Sequence, residues 1–248
     1  MDPEAKLIVP LYIYPMTGKT WQPLYGAIAE FPELEFLVIV NPDSGPGSNP
    51  LPSPDYVREI PKLNASANVV TLGYIRVHYC DKPLREVCAE VDAYAGWAGH
   101  LERAGLGMRG VFVDETPNHY SPERASYLDA VRQHIKASPG IVGDKLVVYN
   151  FGTPPDAGLA DPGPDVLITC EEPHDRYRDA EVQQRLKEYP HDRARSGFII
   201  SAVPREQVAP FTRALRHRGA YLFVTDLVHN IYESFGSSWP AFVAAVAT

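Results

Sequence analysis

The chain has 248 residues, 45% of them hydrophobic, and a formal net charge of -8 at pH 7. This composition is ordinary for a globular protein, and the length suits one large domain. The acidic balance, without a visible basic face, argues against a nucleic-acid partner, and no apolar run approaches the ~20 residues of a membrane-spanning helix. We predict a single domain over residues 1–248, monomeric, that binds neither nucleic acid nor membrane.

The cysteines and histidines bear on redox state and metal binding. Cys80, Cys88 and Cys170 are too few for a disulfide framework. A local bridge between Cys80 and Cys88 and free thiols packed as small hydrophobic residues are both open. Neither a Cys-x-x-Cys nor a His-x-x-x-His pair occurs, so no zinc motif is visible in the sequence.

Short apolar runs alternate with helix-periodic stretches along the whole chain. Several runs are apolar throughout, which is typical of parallel strands covered on both faces. The eight predicted strands are Leu7–Tyr14, Glu35–Val40, Asn68–Ile75, Gly110–Asp114, Lys145–Asn150, Asp165–Cys170, Gly197–Ala202 and Ala220–Thr225. The clearest predicted helices are Leu84–Ala104, Pro122–Ala137, Arg205–Arg218 and Trp239–Ala247.

Eight strand-and-helix units fit either a closed barrel or a doubly wound open sheet. The glycine fingerprint of a dinucleotide fold is absent after the first strand, where residues 15–18 read Pro-Met-Thr-Gly. Proline-rich segments at 41–54 and 153–164 follow the second and fifth strands, where barrel enzymes carry functional loops. We therefore predict a closed (β/α)8 barrel of the TIM type.

Polar and aromatic residues follow the predicted strand ends, where the chemistry of a barrel gathers. They are Tyr12, Tyr14, Asn41, Tyr74, Arg76, His78, Asp114, Glu115, Tyr149, Asn150, Glu171, Glu172, Thr225 and Asp226. An inward lysine for Schiff-base chemistry is missing from this set. Aromatic rings stack on sugar faces, amides and carboxylates bind hydroxyls, and two carboxyl groups cleave glycosidic bonds. This ring of residues favours sugar chemistry.

Two acidic pairs, Asp114-Glu115 and Glu171-Glu172, directly follow apolar strands. A lone acid after a strand more often caps the next helix or pairs with an arginine. Two such pairs, two strands apart in the barrel, favour a shared site instead.

The chain resembles the spherulation-specific family 4 (spherulin-4-like) proteins, which include glycoside hydrolase family 135. The most specific match is the loop Asn-Pro-Asp-Ser-Gly-Pro-Gly at 41–47, followed by the Asp114-Glu115 pair. Further matches lie in order along the chain, at residues 10–15 with Trp21, 73–76 and 170–171. The resemblance implies a barrel, no cofactor, and endo-cleavage of α-1,4-linked N-acetylgalactosamine in a galactosaminogalactan-like polysaccharide.

By position, Asp114 and Glu115 match the family's strand-four acids and Glu171 its strand-six glutamate. We predict that Asp114 is the ionised nucleophile or charge stabiliser and Glu171 the general acid, with a pKa raised by its apolar strand and by nearby charge. Glu115 would orient Asp114 or bind a substrate hydroxyl or amine, and the two strand-four acids could exchange roles. Because Glu172 follows directly, the strand-six assignment could shift by one residue. Retention and inversion of configuration both stay open.

We predict that six further residues contact the polysaccharide substrate. They are Tyr12, Asn41, Tyr74, His78, Asn150 and Asp226.

Two other functions fit the same residues. The first is a carbohydrate-binding barrel without turnover, in a cell wall or spore coat. The second is a metal-dependent hydrolase that uses the acids together with His78. The N-terminal segment lacks the cleavage site of a signal peptide, whereas the family resemblance suggests a secreted or cell-surface protein.

Overall fold

A computed structural model describes residues 4–100, 104–190 and 192–248. Eight parallel strands follow one another around the barrel in chain order, and β8 pairs with β1 to close it. The predicted (β/α)8 barrel is confirmed. The strands are β1 Lys6–Leu11, β2 Phe36–Val40, β3 Val69–Arg76, β4 Gly110–Asp114, β5 Leu146–Asn150, β6 Val166–Pro173, β7 Ser196–Ser201 and β8 Tyr221–Val224.

The first strand is shorter than predicted, because it ends at Leu11 rather than Tyr14. The carbonyl oxygen of Ile13 accepts a hydrogen bond of 2.8 Å from the indole nitrogen of Trp21 instead of bonding to a neighbouring strand. Trp21 itself is buried in the core. The chain therefore leaves the sheet just before Tyr12 and carries that residue onto the rim of the barrel.

Helices cover the outside of the barrel. In the described part of the chain they are α1 Gln22–Glu30, α2 Pro54–Asn64, α3 Leu84–Ala98, α4 Pro122–Ala137, α5 Ala157–Ala160, α6 His174–Tyr177, α7 Ala180–Glu188, α8 Val208–Leu215 and α9 Trp239–Ala247. None of these helices is long and apolar enough to cross a membrane.

Two helices match their predicted bounds and two do not. α4 and α9 have the predicted limits, and at α4 the Ser121 hydroxyl accepts a hydrogen bond from the Arg124 amide just before Pro122. α3 stops at Ala98, and residues 101–103 of its prediction lie outside the described residues. The prediction at 205–218 becomes a short 3-10 turn followed by α8.

Packing between β3 and α3 helps to position Tyr74, which was predicted from sequence to contact substrate. A Cβ atom on Gly73 would lie only 2.8 Å from the ring of Tyr94, so glycine lets this ring lie against the strand. The Tyr94 hydroxyl donates a hydrogen bond of 2.9 Å to the carbonyl oxygen of Tyr74. Tyr94 is fully buried, and it therefore fixes the end of β3 from behind.

The three cysteines are free, with Cys170 buried and Cys80 and Cys88 partly buried. Burial raises the pKa of the Cys80 thiol to about 12. Of the two alternatives for these cysteines, the structure has the packed free thiols.

Candidate functional site

The acids of strands β4 and β6 meet at the carboxyl-terminal mouth of the barrel through one amide. The Asn150 side-chain nitrogen, at the end of β5, donates to Asp114 Oδ1 at 2.8 Å and to Glu171 Oε2 at 2.5 Å. Both oxygens bond to the same nitrogen atom, so their separation is at most the sum of the two hydrogen-bond lengths. The two carboxyl groups are therefore close enough to act on one glycosidic bond.

The orientation of the Asn150 amide follows from its other contacts. Its Oδ1 accepts a hydrogen bond of 3.1 Å from the Gly152 amide, so the NH2 group faces the two acids. Its carbonyl oxygen accepts from the hydroxyl and the amide of Thr116, at 2.5 and 3.2 Å. Asn150 is therefore held on both sides and cannot easily turn its donor away from Asp114 and Glu171.

Asp114 accepts a second hydrogen bond from Tyr74. The Tyr74 hydroxyl lies 2.7 Å from Asp114 Oδ2. Burial, and then the negative charge of Asp114, raise the pKa of Tyr74, so this hydroxyl stays protonated. Each oxygen of Asp114 thus accepts a hydrogen bond from a neutral donor, which fixes the orientation of this carboxyl group.

Glu171 lies in a more apolar environment. Burial raises its pKa, and the charges of Asp114 and Glu172 act in the same direction. Hydrogen bonds from Tyr232 to Oε1 and from Asn150 to Oε2 lower the pKa without cancelling the increase. A carboxyl group with a raised pKa beside a second carboxyl group is an arrangement that suits acid catalysis at a glycosidic bond.

A local irregularity in β6 bears on which of the two glutamates faces Asp114. The register against β7 shifts between Ile168 and Cys170, so Thr169 is an extra residue in the strand. Such a bulge changes the face to which the following side chains point. Beyond it, the Glu171 amide donates to the Gly152 carbonyl oxygen at 3.0 Å, and the Glu171 carboxyl group reaches Asn150 and Tyr232. These contacts favour Glu171 over Glu172 as the acid of the pair.

The raised pKa predicts how Glu171 affects stability. The pKa of Glu171 is 4.5 in the unfolded chain and higher in the folded protein. As the pH rises from 4.5 through the folded-state pKa, ionisation of Glu171 therefore lowers the free energy of unfolding. Glu171→Gln removes that cost, so we expect the variant to have a higher Tm than the parent at pH 7. The difference should shrink towards pH 4, where Glu171 is protonated in both states. Thermal unfolding of both proteins from pH 4 to 8 measures this, and a constant Tm difference across the range would contradict it.

Three tyrosines pack together beside the acids. The ring of Tyr12 lies edge-on to Tyr74, with centroids 5.4 Å apart, and to Tyr232, at 5.1 Å. Burial, followed by the charge of Asp114, raises the pKa of Tyr12, so it too keeps its proton. Tyr12 and Tyr74, both predicted from sequence, therefore lie at one site with the acids.

Tyr232 did not emerge from the sequence. It follows β8 in a long loop and lies 61 positions from Glu171, the residue that it contacts. The sequence feature that could have indicated Tyr232 is an aromatic residue in the loop after the eighth strand, at the carboxyl-terminal end of the barrel.

Glu115 and His78 form a separate contact at the edge of the site. The Glu115 carboxylate lies 3.8 Å from His78 Nε2, and both side chains are partly exposed. The hydrogen bonds that orient Asp114 come from Tyr74 and Asn150 rather than from Glu115. Of the two roles predicted for Glu115, contact with substrate fits this placement better.

Asn41 and Asp226 are engaged in holding loops at the same mouth. Asn41 Oδ1 accepts a hydrogen bond of 3.0 Å from the Gly45 amide, which closes the loop at 41–47. Asp226 accepts from the hydroxyls of Ser237 and Ser238 at 2.5 and 2.7 Å. Burial raises the pKa of Asp226, but these hydrogen bonds outweigh it and the net pKa is lowered. Direct contact of either residue with substrate stays a prediction.

A cavity of about 440 Å³ lies beside Glu171 on the side of β7 and β8. Its polar lining includes Glu172, Ser201, His229 and Asn230, and its apolar lining includes Val228. A cavity of mixed polarity beside a carboxyl group can receive part of a polar ligand. Within the described residues, no group of three or more histidine, cysteine, aspartate and glutamate side chains is placed to hold a metal ion.

Comparison with known proteins agrees with this architecture. A solved structure of Sph3 from Aspergillus clavatus, in complex with GalNAc, superposes with a TM-score of 0.93 and 32% sequence identity, over 100% of this chain and 99% of that one. The GH18 chitinase ChiB of Flavobacterium johnsoniae superposes with a TM-score of 0.54 at 8% identity, over 99% of this chain and 94% of that one, and shares the fold alone.

Sequence comparison gives the family. Spherulin-4 of Physarum polycephalum is 34% identical over 163 residues, which are 66% of this chain and 44% of the length of spherulin-4. The sequence model of spherulation-specific family 4 matches residues 6–246. The chain is therefore a member of spherulation-specific family 4.

Proposed function

We propose that this chain is a retaining endo-glycosidase that cleaves α-1,4-linked N-acetylgalactosamine in a polysaccharide. The observation that carries the proposal is the pair Asp114 and Glu171, joined by the amide of Asn150 and held in different environments. The sharing of one donor by the two carboxyl groups supports a short spacing, such as the ~5–5.5 Å of retaining enzymes. The raised pKa of Glu171 gives the pair its proton donor.

The reaction follows from these positions in two steps. Asp114 attacks the anomeric carbon while Glu171 transfers its proton to the glycosidic oxygen, so the bond to the leaving sugar breaks and a glycosyl ester forms. Glu171, now a carboxylate, takes a proton from water, and that water displaces Asp114 from the anomeric carbon. Two displacements return the original configuration, and Glu171 regains its proton.

At this linkage, a retaining mechanism requires a nucleophile from the protein. In an α-linked 2-acetamido sugar, the acetamido group lies on the same face of the ring as the leaving oxygen, so it cannot displace that oxygen from the opposite face. In a retaining mechanism a protein carboxylate therefore supplies the attack, and we assign this role to Asp114.

Support for the substrate comes from the relative and from the site. Sph3, similar over the whole chain, was solved with GalNAc bound. Beside the acids, the rings of Tyr12, Tyr74 and Tyr232 form an aromatic cluster, and aromatic side chains suit the apolar face of a pyranose. The cavity beside Glu171 lies where the leaving sugar would be, because the proton donor must face the leaving oxygen.

The test is hydrolysis of a defined polymer. We expect the protein to release reducing ends from α-1,4-linked N-acetylgalactosamine polysaccharide and to shorten long chains early, as an endo-acting enzyme does. Proton NMR in the first minutes should show the α-anomer at the new reducing ends, and a chelator should leave the rate unchanged. Binding without release of reducing ends would show a carbohydrate-binding barrel instead, and a β-anomer product would contradict the assignment of Asp114 as nucleophile.

A further inference from the structure

The turn after β3 has an unusual backbone. Three consecutive residues that are not glycine have positive φ: His78 at 47°, Tyr79 at 55° and Cys80 at 76°. In this region the Cβ atom of an L-residue crowds the backbone, and glycine is the residue that adopts it readily. A run of three such residues is therefore strained.

The turn is fastened directly to the acidic pair on β4. The Val77 amide donates to the carbonyl oxygen of Asp114 at 3.1 Å, and the Tyr79 amide donates to that of Glu115 at 2.7 Å. Glu115 itself has a φ of 56°. The position of Tyr79 is thus fixed relative to the candidate nucleophile, even though Tyr79 lies outside the strands.

Packing of the Tyr79 side chain does not offset this strain. It is 60% exposed, so much of its aromatic surface faces solvent. Strained residues persist where the surrounding structure holds them, and they cluster at sites that clamp ligands. The exposed aromatic ring, on a turn whose backbone is bonded to Glu115, is available for a ligand to cover.

We propose that Tyr79 is a stacking platform for a pyranose ring of the bound polysaccharide, on the side of the bond that keeps the anomeric carbon. This rests on the proposed function. In a closed ring of eight strands, β3 lies opposite β7, and the cavity beside Glu171 lies between the ends of β6, β7 and the loop after β8. The leaving sugar occupies that cavity, so the glycan continues across Asp114 towards the opposite side, where Tyr79 stands.

The test compares variants of Tyr79 on long and short ligands. Tyr79→Ala should weaken binding of an α-1,4-linked N-acetylgalactosamine octasaccharide to the Glu171→Gln protein roughly tenfold, the loss of one aromatic contact. In the active protein it should raise KM for the polymer with little change in kcat. Binding of the GalNAc monosaccharide, which does not reach the platform, should be unchanged. Tyr79→Phe keeps the ring and should behave like the parent.

A glycine variant separates the platform from a structural role. Tyr79→Gly relieves the strain, so its Tm should match or exceed that of the parent while its octasaccharide binding falls as in the alanine variant. A purely structural tyrosine predicts a lower Tm together with loss of activity on every ligand. Tyr120→Ala is the matched control, because Tyr120 is 49% exposed and its ring packs on Gly158. It should leave octasaccharide binding unchanged.

Two results would overturn the proposal, and they differ. If the parent cleaves the polymer while Tyr79→Ala and Tyr79→Gly bind the octasaccharide as the parent does, Tyr79 is no platform and the proposed function stands. If the parent neither binds nor cleaves the polymer, both proposals fail together.

Discussion

Asp114→Asn is expected to lower turnover on the polysaccharide by roughly 10²–10⁴-fold or more, the contribution of a positioned catalytic group. The amide has nearly the size of the carboxylate, and its oxygen can still accept from Asn150. The amide nitrogen would face the Tyr74 hydroxyl, which can accept as well as donate. The variant keeps the shape of the site but has no anion to form the bond to the anomeric carbon.

Stability and binding distinguish this loss from a folding defect. Removing one of two neighbouring acids should leave Tm unchanged or raise it, because like charges at the barrel mouth repel each other. Octasaccharide binding should persist, since the hydroxyl contacts of the site remain. The measurements are kcat on the polymer, Tm and a binding titration of the same preparation. A fall in Tm with undiminished activity per folded molecule would instead show that Asp114 is structural.

The barrel could be predicted because its signal is local and repeated. Every residue of Phe36–Val40 is buried. A strand that is covered on both faces needs apolar residues at successive positions, and such a run is visible in the sequence. The alternation with helices then leaves few topologies, and the missing dinucleotide fingerprint removes the main competitor. Strand ends were less accurate, as at β1, because the point at which a chain leaves the sheet depends on tertiary contacts, such as that of Trp21 with the Ile13 carbonyl oxygen, which a local pattern does not show.

The candidate acids could be predicted because the barrel brings all strand ends to one mouth. Asp114 and Asn150 end β4 and β5, Glu171 lies near the end of β6, and the structure joins the three by hydrogen bonds. Glu115 and His78 also meet, at 3.8 Å. For these residues, position in the repeat was enough to predict proximity.

The rest of the site depends on geometry that a sequence pattern does not carry. Choosing between Glu171 and Glu172 requires knowledge of the one-residue bulge at Thr169, which reverses the alternation of the strand. The contact of Tyr232 depends on the path of a long loop. Tyr79 has a positive φ, a backbone conformation that residues other than glycine normally avoid. Residue propensities would therefore have argued against this conformation.

Glu171→Gln is expected to lower kcat on the polysaccharide by a similar factor, roughly 10²–10⁴-fold, but with a different signature. The loss comes from the missing proton, so it should depend on the leaving group. In an aryl α-N-acetylgalactosaminide with an acidic phenol, the phenolate leaves without being protonated. The sugar should therefore still form the glycosyl ester with Asp114. Breakdown of that ester then lacks its base, so a burst of phenol followed by a slow phase is expected. Added azide, which needs no base, should restore turnover and yield the α-glycosyl azide.

The pH profile gives a second readout, with Glu172→Gln as the matched control. Glu171 must be protonated to act as the acid, so kcat/KM should fall as the pH rises through a pKa above 4.5. This fall should disappear in Glu171→Gln and persist in Glu172→Gln. Removing the charge of Glu172, which helps to raise the pKa of Glu171, should move the fall to slightly lower pH. If Glu172→Gln instead abolishes turnover and shows the azide effect while Glu171→Gln stays active, the proton donor is Glu172. The contacts of Glu171 with Asn150 and Tyr232 would then serve only to hold the barrel mouth together.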